Sequence, residues 1–151
     1  MSGAPASFPS GIPTGVHVLL EHGGKVLLMR RAGTGFFDGQ YSLPGGHVEP
    51  AESLLATARR EVFEELGICV GGLEYVGVAH RMSDTNRIDF FFRACDWSGA
   101  PTIREPHKCD DLLWAGCDAL PENTVEYVRR ALALLGDGPT GWLLETGWER
   151  C

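Results

Sequence analysis

The spacing of apolar and polar residues changes period several times along the chain. Gly15 to Leu20 and Lys25 to Arg31 are short runs rich in aliphatic residues, divided by His22-Gly23-Gly24. Gly-Gly between two such runs predicts a β-hairpin. A glycine-bearing loop follows from Ala32 to Gly46 and carries Phe36, Phe37, Tyr41 and Leu43. From Ser53 to Leu66 the period becomes helical, with Leu55, Ala58, Val62 and Leu66 at three- and four-residue steps and Gly67 as the stop. Leu73 to His80 and Arg87 to Cys95 return to strand character, Asp96 to Pro101 is a turn, and a short strand-like run surrounds Trp114. Thr124 to Leu135 predicts a second helix, with Asn123 as its N-cap. Strands on both sides of a central helix imply an α/β fold, a mixed sheet with helices on its faces. The expected organisation is a flexible tail over 1–13, one domain over 14–136 and a Gly/Pro-bearing tail over 137–151 with no readable pattern.

Composition narrows the function. A chain of 151 residues can bury a core without disulfides or a structural metal. With 13 Lys and Arg against 20 Asp and Glu, the net charge of −7 argues against nonspecific binding to nucleic acid or to an anionic membrane. A small phosphate-bearing ligand stays allowed, because a metal ion supplies the missing positive charge. No apolar run is long enough to span a membrane, and MSGAPASFPS lacks the features of a secretory signal. Five cysteines without CxxC spacing fit a reducing compartment, so the expected location is the cytoplasm. His107, Cys109 and Cys117 lack a fourth ligand at zinc spacing.

The chemistry gathers in GGHVEPAESLLATARREVFEELGI, residues 45–68. On a helix Glu64 lies about 60° to one side of Glu61 and Glu65 about 40° to the other, so three carboxylates share one arc. Like charges so placed destabilise a helix, and they sit together either on a solvated face or around a cation. Magnesium takes such oxygen ligands beside a substrate phosphate. Arg60 is placed to pair with Glu52 or Glu64, and Gly45 and Gly46 let backbone carbonyls approach an ion.

The full spacing is Gly46, five residues, Glu52, seven residues, Arg60-Glu61-Val62, one residue, Glu64-Glu65, one residue, Gly67-Ile68. It resembles the signature of the Nudix hydrolases at every specified position, and the order of elements from Val16 to Leu135 is similar to that family's α/β/α sandwich. The resemblance implies Mg2+-dependent attack of water on a diphosphate bond, with Mn2+ as an alternative ion. Glu61, Glu64 and Glu65 match the metal-binding glutamates and the Gly45/Gly46 backbone the carbonyl ligand. Glu61 is the expected general base, Arg60 orients the cluster, and Glu52 and Gly67 are structural members of the motif. Glu105, ahead of Asp110 and Asp111, is the expected further metal carboxylate.

For the substrate, Arg31, Leu43 and Phe36 are the expected contacts. Arg30-Arg31 precedes Leu43-Pro44-Gly45-Gly46 at a spacing similar to that of MutT-like members, and Phe36, Phe37, Phe90 and Phe92 are candidates for a stacking face. Ser83, Asp84 and Thr85 stand where ADP-ribose and dinucleoside polyphosphate hydrolases carry their subfamily marks. The resemblance therefore implies a nucleoside triphosphate, canonical or oxidised, cleaved to monophosphate and pyrophosphate. ADP-ribose or a nucleotide sugar is the alternative substrate, and a noncatalytic nucleotide-binding module the alternative function. The expected partner is a small nucleotide rather than nucleic acid or membrane, and Trp142 and Trp148, if exposed, would permit a homodimer.

Overall fold

A computed structural model describes residues 11–83, 86–135 and 140–148. In chain order the elements are β1 (Thr14–Leu19), β2 (Glu21–His22), β3 (Lys25–Arg31), β4 (Tyr41–Ser42), β5 (Gly45–His47), α1 (Leu54–Leu66), β6 (Cys69–Val70), β7 (Leu73–Met82), β8 (Asn86–Ala94), β9 (Trp97–Ser98), β10 (Cys109–Ala115), α2 (Glu126–Ala133) and β11 (Trp142–Thr146). The main sheet runs β11-β7-β8-β1-β5. It is mixed: β1 lies parallel to β8 and β11 parallel to β7, while β7–β8 and β1–β5 are antiparallel. A second sheet, β10-β3-β2 with β4 also on β3, is wholly antiparallel.

The sheets are buried on both faces. Val16, Val18, Leu27, Met29 and Phe92 pack with Ala58, Val62 and Leu66 of α1. Leu19, Val26, Leu28 and Phe91 pack on the opposite side with Val128, Ala131 and Leu132 of α2. The fold is therefore an α/β/α sandwich around one mixed and one antiparallel sheet, and Phe90-Phe91-Phe92 reads as an unbroken apolar run because both of its faces meet core. Phe92 and Phe91 are both buried and Phe90 packs beside Phe92, so this run does not supply a stacking surface.

Helix α1 begins at Leu54, one residue inside the expected stretch, because Ser53 serves as its N-cap. The Ser53 side chain accepts from the Ala56 amide at 3.1 Å, and Gly67, at φ 73°, donates its amide to the Phe63 carbonyl at 2.9 Å. Its buried face differs from the expected stripe: Thr57 is buried and Leu55 is exposed. Thr57 tolerates burial because its hydroxyl donates to the Ser53 carbonyl and to Glu52. Helix α2 is shorter than Thr124 to Leu135, and Asn123 does not cap it. The Asn123 amide donates instead to the Gly39 carbonyl, Thr124 turns back onto Pro121, and Val125 holds the N-cap position without a side-chain bond.

The stretch after 139 contains a strand that its sequence did not announce. Trp142 and Trp148 are not free faces: Trp142 sits 5.3 Å from Phe91, and Trp148 lies 4.9 Å from the His80 ring and donates to the His80 carbonyl. The dimer rationale drawn from their exposure therefore falls. The expected tail over 1–13 lies mostly outside the described residues. Among the described residues no helix is long and apolar enough to cross a membrane.

Candidate active site

The turn into α1 carries the motif, and Arg60 binds it together. Its guanidinium donates to both Glu52 carboxylate oxygens at 2.7 and 3.0 Å, to Glu61 at 2.8 Å and to the His47 carbonyl at 3.1 Å. Glu64 lies 3.5 Å and Glu49 3.8 Å from it. Glu52 also accepts from the Thr57 hydroxyl and the Glu49 amide, so it joins loop to helix. Paired first with Arg60 and then with Thr57, its carboxyl is held down at about 2. Arg60 is correspondingly held in its charged form.

Glu65 reaches β5 and accepts from the Gly45 amide at 2.9 Å. A Cβ on Gly46 would overlap the Glu61 carboxyl, and one on Gly45, at φ 154°, would run into the Val16 carbonyl. Both glycines are thus required by close approach, not by flexibility alone. Burial, reinforced by the neighbouring Glu61 charge, pushes the Glu65 carboxyl well above the ordinary range. Burial raises Glu61 as well, against the opposing pull of Arg60.

These groups open onto one cavity of about 740 Å³. Glu61, Glu65, Glu105, Gly45, Gly46, Arg31, Leu43 and Phe36 all line it. Glu64 does not line it; its exposed side chain faces Arg60. Neither Gly67, which caps the helix, nor Glu52, which ties the preceding loop to it, is cavity wall. Arg31 is tied to the Phe36 carbonyl at 2.7 Å and to the Thr34 hydroxyl at 3.2 Å, which fixes the loop that presents Phe36 and Phe37. Phe36 is 67% exposed at the cavity mouth, whereas Leu43 is nearly all core.

The donor set suits a hard divalent cation. Glu61, Glu65 and Glu105 offer oxygen only, and burial makes Glu61 and Glu65 resist ionisation where they stand, Glu61 despite its bond from Arg60. Among the described residues no three acidic, His or Cys side chains are yet drawn close enough to enclose an ion unaided.

The α2-facing floor of the cavity escaped the reading of the sequence. Arg81 donates to Asp89 at 2.7 Å and lies 3.8 Å from the centre of the Tyr127 ring. Tyr127 pairs with His17 at 2.8 Å, and Arg87 approaches His47 at 3.4 Å. Burial lowers His17 to about 4 and raises the Tyr127 hydroxyl above its usual range. The available signal was a charge at inward positions of apolar strands: Arg81 and Asp89 lie two residues from Ala79 and Phe91. Glu49, beside the motif glutamates, also lines the cavity and was not singled out.

Comparison with known proteins agrees with this geometry. The NUDIX domain family matches residues 11–135. The NAD-capped RNA hydrolase NudC of Pseudomonas aeruginosa is 34% identical over 104 residues, covering 69% of this chain and 36% of that protein. NudC of Pseudomonas entomophila is 32% identical over 115 residues, 76% of this chain and 40% of that protein. The chain thus spans well under half the length of these relatives. Among solved structures, a MutT Nudix hydrolase from Burkholderia pseudomallei superposes with a TM-score of 0.77 at 27% identity, covering 82% of this chain and 98% of that one. The MutT protein of Methanosarcina mazei gives 0.72 at 25% identity over 84% of this chain and 94% of its own. With its family match spanning most of the chain, its sandwich and its motif helix all in agreement, the chain belongs to the Nudix hydrolase family.

Proposed function

We propose that the protein is a divalent-metal-dependent pyrophosphohydrolase that cleaves a nucleoside triphosphate to nucleoside monophosphate and pyrophosphate. The observation that carries this reading is the convergence of Glu61 and Glu65 on the Gly45-Gly46 backbone at the wall of a cavity of nucleotide size. Glu61, Glu65 and Glu105, with the Gly45/Gly46 backbone, would hold Mg2+ or Mn2+, and Glu64 would complete the set from the helix surface. Such an ion supplies charge neutralisation at the phosphate oxygens and acidifies a bound water. The chain's own part is to place carboxylates at the anhydride, with Glu61 taking the proton of the attacking water while Arg60 fixes its orientation. Arg31, Leu43 and Phe36 would hold the nucleotide.

A second reading rests on the curated relatives, named as hydrolases of NAD-capped RNA: a dinucleotide-type pyrophosphate bond, free or at the end of an RNA, in line with the ADP-ribose and nucleotide-sugar alternative. It reopens nucleic acid as a carrier of the substrate, which the charge of −7 disfavours only for nonspecific binding. The test is a product assay with Mg2+ across canonical and 8-oxo nucleoside triphosphates, ADP-ribose, nucleotide sugars, NAD and NAD-capped RNA. Monophosphate plus pyrophosphate from triphosphates supports the first reading; turnover of NAD-type bonds alone replaces it with the second. If no substrate turns over and Glu64→Gln or Glu65→Gln changes nothing measurable, the domain is a noncatalytic binding module.

A further inference from the structure

The cavity floor has a charge imbalance that the motif does not explain. Arg81, Arg87 and Asp89 all point to the α2-facing side of the main sheet, as the β7–β8 pairs Arg81↔Arg87 and Ala79↔Asp89 require. Farther along the same face the positions are apolar core, with Phe91 and Leu19 buried against α2. Charges at such positions cost free energy unless partnered. Two of the cavity guanidiniums are partnered: Arg30 with Asp110 and Arg81 with Asp89, each at 2.7 Å. Arg87 has no carboxylate within 4.0 Å among the described residues; its guanidinium meets the His47 ring at 3.4 Å, and its buried Nε has no hydrogen-bond partner there. Arg31, the other guanidinium without an acidic partner, spends its bonds on a carbonyl and a hydroxyl.

We propose that Arg87 is a specificity-determining residue whose guanidinium receives a phosphate oxyanion of the substrate one anhydride link beyond the bond attacked. The inference deepens the triphosphate reading and rests on it for the identity of the substrate. A guanidinium binds phosphate in a planar, paired geometry that lysine does not reproduce. The site therefore favours substrates that carry a terminal phosphate over those in which a diphosphate joins two uncharged groups.

The test has two arms, each on the full chain. In the first, inorganic pyrophosphate is titrated into metal-free protein by calorimetry. Wild type binds it, Arg87→Gln binds about 10- to 100-fold more weakly, and Arg87→Lys falls between. In the second, the ratio of kcat/KM for a nucleoside triphosphate to that for ADP-ribose drops at least tenfold in Arg87→Gln. Because this variant removes an unpaired half-buried charge, its Tm holds or rises. The proposal is overturned by no pyrophosphate binding in wild type, by equal binding in Arg87→Gln, by an unchanged ratio, or by a lower Tm in both variants. If wild type hydrolyses no triphosphate, the triphosphate reading fails, and the binding arm still decides whether Arg87 holds phosphate.

Discussion

Acid should destabilise this fold through His17, by an amount the structure sets. The imidazole sits on β1 beneath the cavity, bonded to the Tyr127 hydroxyl at 2.8 Å and 3.7 Å from Asp89. Burial lowers it from 6.5 to about 4; Asp89 opposes the shift, and Arg81, Arg31 and Arg87 add to it. The unfolded chain thus takes up a proton below pH 6.5 that the folded protein refuses until about pH 4. Stability from this residue is complete above pH 6.5 and is lost as the pH falls toward 4, by about 3 kcal/mol in all at about 1.4 kcal/mol per unit. Between pH 7 and 4.5 the loss is about 2 kcal/mol, a shift of roughly 1 M in a urea midpoint. The assay is urea unfolding at both pH values for wild type and His17→Gln, whose amide can still meet Tyr127 but does not titrate. Glu52, Glu61 and Glu65 titrate in both proteins and cancel in the comparison. If His17→Gln loses as much stability as wild type over this range, His17 is not the buried neutral group described.

Three further outcomes follow from the motif helix. Glu65→Gln should raise the Tm of the metal-free protein at pH 7, because a carboxyl that resists ionisation is replaced by a neutral group that can still accept from Gly45; the same change should abolish hydrolysis, and a lowered Tm would refute the electrostatic account. Arg60→Lys lacks the planar fork that holds Glu52 with two bonds and Glu61 with a third, so kcat should fall about 10- to 100-fold with KM little altered, and the acidic limb of the pH–rate profile should move upward as Glu61 loses the hydrogen bond that holds its carboxyl down. Gly67→Ala should cost about 1 kcal/mol, seen as a Tm lower by roughly 2–4 °C, because the residue holds φ 73° and a Cβ there would press on Arg104 at 3.0 Å.

What could be read from the chain and what could not divide along local and nonlocal geometry. The motif was legible because a helix relates residues three and four apart by fixed rotation: Ser53, Glu61, Glu65 and Gly67 needed no knowledge of the rest of the fold. Even there, the pattern could not tell that Thr57 would be buried and Leu55 exposed, since that depended on Glu52 and Ser53 satisfying a hydroxyl in the core. Strand β11 was invisible because five residues paired parallel to β7 leave no local mark, and the exposure expected of Trp142 vanished with that pairing. The cavity floor is the extreme case. His17, Arg81, Asp89 and Tyr127 come from three strands and a helix, and they meet only through the registers of β1 on β8 and β7 on β8. Because both faces of these strands are buried, apolar alternation is erased and an inward arginine looks like any surface charge. The motif, carried by a helix, is therefore readable in one dimension; the cavity floor, assembled by strand registers, requires the third.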